Sequence, residues 1–147
     1  MNTAYFYLTD EGGKLAHKLA AAHPGDIYNK ENFKENLRAG FGRYDSLVCI
    51  MATGIVVRIL APLIVHKTSD PAVVVLDQKG KYAISLLSGH LGGANELALR
   101  WVQLGVFSPI NRLHSSKNEF MGKEPWQFPM EIGEVMKEFL RLRHQML

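Results

Sequence analysis

The sequence predicts an α/β protein, a three-layer α/β/α sandwich on a mostly parallel sheet, with a C-terminal helical extension. Three observations carry that prediction. Strand-length apolar runs alternate with helix-length segments, in the order β-α-β-α-β-α, and this implies crossover connections between parallel strands. The run SLVCIM (46–51) is apolar at every position after Ser46, as expected of a strand covered on both faces. The short link Gln78-Lys79-Gly80-Lys81 between two strand-like runs makes that one pair an antiparallel hairpin, hence "mostly".

Each element follows from its local pattern. TAYFYL (3–8) is apolar and rich in strand formers. EGGKLAHKLAAAH (11–23) sets Leu15 and Leu19 four apart among alanines, and Pro24-Gly25 stops it as breakers past a helix end do. DIY (26–28) is a short strand. ENFKENLRAGF (31–41) places Phe33, Leu37 and Phe41 on one helical face. GIVVRILAPLI (54–64) is ambiguous by propensity, being rich in Ile and Val; its length and its position after a strand favour a helix with Pro62 near its end. PAVVVLD (71–77) and YAISLL (82–87) are the hairpin strands. GGANELALRWVQLG (92–105) is a helix with a Leu97, Trp101, Leu104 stripe and an i,i+4 pair of Glu96 and Arg100.

Residue 105 is the expected domain boundary. Residues 106–147 form an appended segment: VFSPINRLHSSKNEFMGKEPWQFP has three prolines and no clean period. MEIGEVMKEFLRLRHQML then reads as an amphipathic helix, with acidic residues early and basic ones late, as the helix dipole favours. Its apolar stripe calls for contact, either with this domain or with a second copy in a homodimer.

The bulk numbers narrow the function. A 147-residue chain with 47% hydrophobic and 21% charged residues suits one domain with a real core. A net charge of +3 fits an anionic small molecule better than nucleic acid. The one cysteine, Cys49, lies in an apolar run and reads as a buried reduced thiol. The longest apolar stretch carries Arg58 and Pro62, so no membrane span is expected, and the N-terminus lacks the basic region of a signal peptide; a cytoplasmic location is the expectation. The six histidines show no HxH or HExxH spacing, so no metal site is expected. No GxGxxG, Walker loop or nucleophile elbow is present.

In an open parallel sheet, ligands bind outside the carboxyl ends of the strands. Three strand ends carry a hydroxyl followed by glycine at a helix start: Thr9–Gly13, Ala52-Thr53-Gly54, and Ser88-Gly89-His90-Leu91-Gly92-Gly93. Glycine lets peptide N–H groups approach a ligand, and a helix N-terminus carries about half a positive charge. The first loop reads as a tight turn with close packing; the second reads equally as turn or site. The third reads as functional, because His90 titrates near neutrality and Asn95 and Glu96 follow. Arg58, in an otherwise apolar helix, either reaches toward a carboxylate or snorkels to solvent.

Residues 50–98, IMATGIVVRILAPLIVHKTSDPAVVVLDQKGKYAISLLSGHLGGANELA, strongly resemble the CbiG family of cobalamin biosynthesis, the cobalt-precorrin-5A hydrolases of the anaerobic pathway. Ala52-Thr53-Gly54-Ile55 with Arg58 and Ala61-Pro62, Lys67 with Asp70–Val74, and Ser85–Glu96 carry the resemblance. It implies a cobalt-containing, ring-contracted tetrapyrrole substrate, whose δ-lactone is opened with release of acetaldehyde to give cobalt-precorrin-5B. No cofactor is implied, since the substrate carries the cobalt.

With that substrate, its acetate and propionate arms would meet Thr53, Gly54, Arg58, Lys67, Ser88, Gly89, Gly92, Gly93 and Asn95. His90 would act as base, with Glu96 orienting it or acting as a base itself. Family members continue into a C-terminal domain, so a separately encoded domain is an expected partner. The other reading is a non-catalytic tetrapyrrole- or anion-binding module. Where the family has a Thr-Thr-Ala-Thr-Asp-like loop, this chain reads Ile110-Asn111-Arg112-Leu113-His114-Ser115-Ser116.

Overall fold

The computed structural model describes residues 1–89, 92–103 and 108–110, all within the first of the chain's two units, Met1–Ile110. The expected helix at 130–146 and its partner lie outside the described residues. In chain order the elements are β1 (Thr3–Tyr7), α1 (Asp10–Ala22), β2 (Asp26–Tyr28), α2 (Phe33–Phe41), β3 (Ser46–Ile50) and α3 (Thr53–Leu60). A 3₁₀ turn (Ala61–Leu63) leads to β4 (Ala72–Leu76), β5 (Tyr82–Leu87), α4 (Ala94–Gln103) and β6 (Ser108–Ile110).

The sheet order is β2-β1-β3-β4-β5-β6. Strands β1 to β4 are mutually parallel, β5 is antiparallel to β4, and β6 is parallel to β5. Beyond residue 105, Ser108–Ile110 pairs with Tyr82–Ile84 as the last strand of this order. Pro109 has no N–H to donate, which suits a terminal strand.

Two cores make the sandwich. On one face, α1 and α4 bring Ala16, Leu19, Leu97 and Trp101 onto Tyr5, Val48, Val74 and Leu76. On the other, α2 and α3 bring Leu37, Phe41, Val56 and Leu60 onto Phe6, Leu47, Cys49 and Val75. Strand neighbours therefore point into different cores, which is why β3 and β4 are apolar at almost every position. Burial pushes the Cys49 thiol up to about 12, so it is an inert core group rather than a nucleophile.

The Ile/Val-rich stretch at 53–60 resolves as a helix. Val56, Ile59 and Leu60 follow helical spacing into the core while Val57 stays 45% exposed, so amphipathic packing outweighs β propensity. Tyr82, Ile84, Leu86 and Leu87 of β5 are exposed or only partly buried, and the last three lie against the core that holds α2 and α3.

Candidate functional site

The hairpin turn between β4 and β5 reverses the chain, so the two ends of β5 are inverted relative to β1, β3 and β4. Thr9 and Thr53-Gly54 stand at the carboxyl edge of the parallel strands, as expected. The Ser88–Gly93 loop follows the carboxyl end of β5 and so stands at the opposite, amino edge, beside the entry to β4. Ser88 Oγ donates to the carbonyl of Asp70 there, at 2.9 Å. A five-residue strand separates the edges by about 16 Å. The three loops therefore do not form one site.

At the amino edge the glycines serve the fold. A Cβ on Gly92 would stand 2.4 Å from Ser88 Cβ, and one on Gly89 would stand 2.8 Å from Asn95 Oδ1. Ser88 (φ 56°) and Gly93 (φ 85°) adopt left-handed backbone, which Gly93 accepts without strain. The N–H groups of Ala94 and Asn95 donate to the carbonyls of Ser88 and Gly89 at 3.3 and 3.1 Å. The start of α4 is thus capped by its own loop, and those two donors are spent. Glu96 pairs with Arg100 at 3.0 Å with its side chain 72% exposed, the surface i,i+4 pair that the spacing predicts. Lys67 is exposed in the loop 66–70 that enters β4. His90 lies outside the described residues.

The carboxyl edge is different. A cavity of about 510 Å³ opens there, lined by Leu8, Met51, Ile55, Val75 and Ile84, with Thr9, Thr53, Asp77, Gln78 and Tyr82 among its other walls. Thr53 and Gly54 form the first turn of α3, whose N-cap is Ala52, a residue with no side-chain acceptor. Arg58 is exposed, and its guanidinium folds back along α3 to Gly54, with Nη1 3.5 Å from the Gly54 carbonyl. A cation at a helix N-terminus adds to the positive end of the dipole rather than opposing it. Ala52, Thr53 and Ile55 line the apolar cavity, while Gly54 and Arg58 are not among its lining residues. The positive potential at the start of α3 suits a carboxylate borne on an apolar frame.

The Thr9 loop is a closely packed turn, as expected, and it also caps α1. Thr9 Oγ1 accepts from Gly12 N at 3.0 Å, and a Cβ on Gly13 would stand 2.8 Å from the Tyr7 ring. Thr9 also donates to Gln78 Oε1 at 3.0 Å, tying α1 to the hairpin turn across the cavity. Asp77 accepts from Tyr82 N at 2.6 Å and Lys79 N at 3.1 Å, so its carboxylate holds the turn. Asp77, Gln78 and Tyr82 escaped the sequence reading. The signal for them was the hairpin itself, because its short link brings residues 77–82 to the carboxyl edge.

Among the described residues no group of three or more His, Cys, Asp or Glu side chains is arranged to hold a metal ion. No helix among them is long and apolar enough to cross a membrane.

A mostly parallel α/β sheet with helices on both faces and a cavity at its carboxyl edge defines a doubly wound α/β protein. Within that class the chain belongs to the Cobalamin synthesis G N-terminal family, whose model matches residues 35–110, more than half of it. It is 47% identical over 139 residues to the cobalt-precorrin-5A hydrolase of Salmonella typhimurium, covering 86% of this chain and 40% of that protein. Its fold is similar to a crystal structure of a cobalamin biosynthesis protein G homolog from Sulfolobus solfataricus, with a TM-score of 0.64 and 27% identity over 76% of this chain and 36% of the other. The chain thus spans 40% or less of the length of these two relatives.

A second model, the glycosyl hydrolases family 31 TIM-barrel domain, matches residues 81–147. The α-xylosidase of Saccharolobus solfataricus is 42% identical over 52 residues, 35% of this chain and 7% of that enzyme. The two model matches overlap at 81–110. There β5 and α4 share the sheet and the core of β1 to β4, so this stretch folds with the family's α/β unit.

Proposed function

We propose that this domain binds the cobalt-containing, ring-contracted tetrapyrrole of anaerobic cobalamin biosynthesis at its carboxyl edge and takes part in hydrolytic opening of the δ-lactone. Water adds to the lactone carbonyl and the ester C–O bond breaks, leaving a carboxylate arm and a free hydroxyl. That hydroxyl gives up its proton, and the C–C bond joining its carbon to the macrocycle breaks with the electron pair passing to the conjugated ring. The two-carbon unit leaves as acetaldehyde, and the ring takes up a proton to give cobalt-precorrin-5B. The observation that carries this reading is the apolar cavity at the carboxyl edge, with Thr53 at the start of α3 in its wall. The 47% identity to a cobalt-precorrin-5A hydrolase supports the substrate class.

The division of labour follows from size and chemistry. A cavity of about 510 Å³ holds a drug-sized group, so it takes one edge of the macrocycle rather than all of it. The first turn of α3 and the Arg58 guanidinium bind an acetate or propionate arm on that edge. Asp77 is committed to its turn and does not serve as base. The family's C-terminal domain covers the remainder of the substrate and supplies the group that activates water. On this reading the Ser88–Gly93 loop, Asn95 and Glu96 maintain the fold, and Lys67 stands at the edge away from the cavity.

The test is incubation with cobalt-precorrin-5A and an acetaldehyde assay, with and without that C-terminal domain. Release that needs both proteins, falls at least tenfold in Arg58→Gln and persists in His90→Ala is the expected result. If His90→Ala instead lowers release by a factor of ~10² to 10⁴, the usual contribution of a general acid–base group, the chemistry belongs to the amino edge.

A further inference from the structure

Beside Thr53, the cavity has a second wall that neither the family resemblance nor the sequence pattern singled out. It is the β4–β5 hairpin. Tyr82 lines the cavity and is 51% exposed, an unusual state for a large aromatic at the start of an otherwise half-buried strand. Its backbone is fixed. Tyr82 N donates to Asp77 Oδ1 at 2.6 Å, Gly80 N donates to the Asp77 carbonyl at 2.9 Å, and Gly80 adopts φ 67°, which only glycine takes freely. Gln78 accepts from the Thr9 hydroxyl, so the turn is also anchored to the far side of the cavity. The ring is therefore carried on a preorganised scaffold. Alongside it Ile84 and Val75 continue the cavity's apolar wall.

The charge of the hairpin fits the same guest. Lys79 and Lys81 bracket Gly80, both are exposed, and neither takes part in an ion pair among the described residues. The Asp77 carboxylate, in the cavity wall, is turned to peptide N–H groups. An exposed aromatic ring beside an apolar wall, carried on a turn that holds two exposed lysines, matches a flat conjugated frame with carboxylates on its rim.

We propose that the β4–β5 hairpin is the specificity element for the macrocycle: the Tyr82 ring lies against its conjugated face, and Lys79 and Lys81 take carboxylate arms opposite to the one bound by Arg58. The assignment rests on the tetrapyrrole reading given above. It makes Tyr82 a binding residue for the ring system and the two lysines binding residues for its periphery.

The experiment separates face from rim. The full chain is titrated with dicyanocobyrinic acid and with its neutral heptamethyl ester, following the corrin absorbance. Wild type is expected to bind both, the acid more tightly. Tyr82→Ala should weaken both about tenfold or more, a modest value for an aromatic stacking contact, while Tyr82→Phe keeps them. Tyr82→Leu retains apolar bulk and a folded hairpin, and it should behave like Tyr82→Ala. The double variant Lys79→Gln, Lys81→Gln should weaken the acid about tenfold, leave the ester unchanged and flatten the salt dependence of acid binding. Wild-type binding that Tyr82→Leu and the lysine variant leave intact would overturn the hairpin's role while the tetrapyrrole reading stood. Failure of wild type to bind either probe would overturn both.

Discussion

The two edges of the sheet use the same residue type for opposite ends. Gly54 and Gly92 both stand at strand-to-helix turns, Gly54 directly after Thr53 and Gly92 four residues after Ser88, and both suggest a place where backbone meets a ligand. At Gly92 the missing side chain is occupied by the protein, with Ser88 Cβ only 2.4 Å from where a Cβ would stand. At Gly54 the nearest atom is Arg58 Nη1 at 3.4 Å, an ordinary contact with the end of a flexible side chain. One glycine closes a loop on itself, and the other leaves room for a guanidinium to lie against a helix start. A glycine-rich turn is thus a question about neighbours, and only the neighbours say whether the space belongs to the fold or to a guest.

The largest effect should come from the helix that leaves the amino edge. Trp101 is fully buried, 6.2 Å from the Tyr5 ring and 5.8 Å from the His23 ring, on the stripe with Leu97 that the sequence predicts. Trp101→Ala should lower stability by about 3–5 kcal/mol in denaturant unfolding, as large core truncations do. A change within about 0.5 kcal/mol, typical of surface sites, would mean that this side is no more structural than the cavity edge.

Gly92→Val comes next. The added carbons cannot fit against Ser88 without opening the loop, so stability should fall by about 1–3 kcal/mol, and any loss of corrinoid binding should track the loss of folded protein. Selective loss of binding in a variant that melts like wild type would return the ligand to the amino edge.

Gly54→Ala sharpens the contrast. Replacing glycine within an exposed helix should hold or raise stability, by at most about 0.5–1 kcal/mol. The methyl group would meet Arg58 Nη1 at an ordinary 3.4 Å and need not move it, so binding of dicyanocobyrinic acid should hold along with the melting curve. Loss of binding at unchanged stability would show that the ligand needs the bare Gly54 backbone.

Much of this was legible beforehand, and the limits have physical causes. The alternating elements, the doubly covered SLVCIM strand, the 78–81 hairpin, the Thr9 turn and the Trp101 stripe each depend on local spacing, and local spacing is what a sequence displays. The Ile/Val-rich run at 54–64 needed its neighbours, because propensity and amphipathicity point opposite ways there. The site was harder. Ser88–Gly93 carries the strongest local signal in the chain, yet the antiparallel turn that precedes it sends the loop to the edge opposite Thr53. Tyr82, Gln78 and Asp77 look like turn residues until the hairpin is set against β1 and β3. Arg58 was visible as a misfit in an apolar helix, but its direction, back toward Gly54, is a matter of rotamer.

The smallest expected effect also belongs to the amino edge and concerns pH. His23 is the C-cap of α1. Its Nε2 shares a 3.1 Å hydrogen bond with Thr3 Oγ1, which in turn shares a 2.7 Å bond with Ser46 Oγ, and its carbonyl accepts from the Tyr5 hydroxyl at 2.6 Å. Partial burial holds the His23 imidazole below its ordinary 6.5, and the charges of Arg100 and the N-terminal amine act in the same direction. The folded state therefore favours the neutral ring, and the unfolded chain binds the proton first as pH falls. The stabilisation is fully present above about pH 6.5 and is lost as pH falls from there through the lowered folded value. The melting temperature should decline over that interval, and His23→Gln, which keeps a hydrogen-bonding side chain but does not titrate, should flatten the decline. Because the ring is only partly buried the slope should be shallow. Arg58→Gln, at the other edge and outside this network, should leave the profile unchanged; a profile that moved equally in both variants would show that the two edges titrate as one.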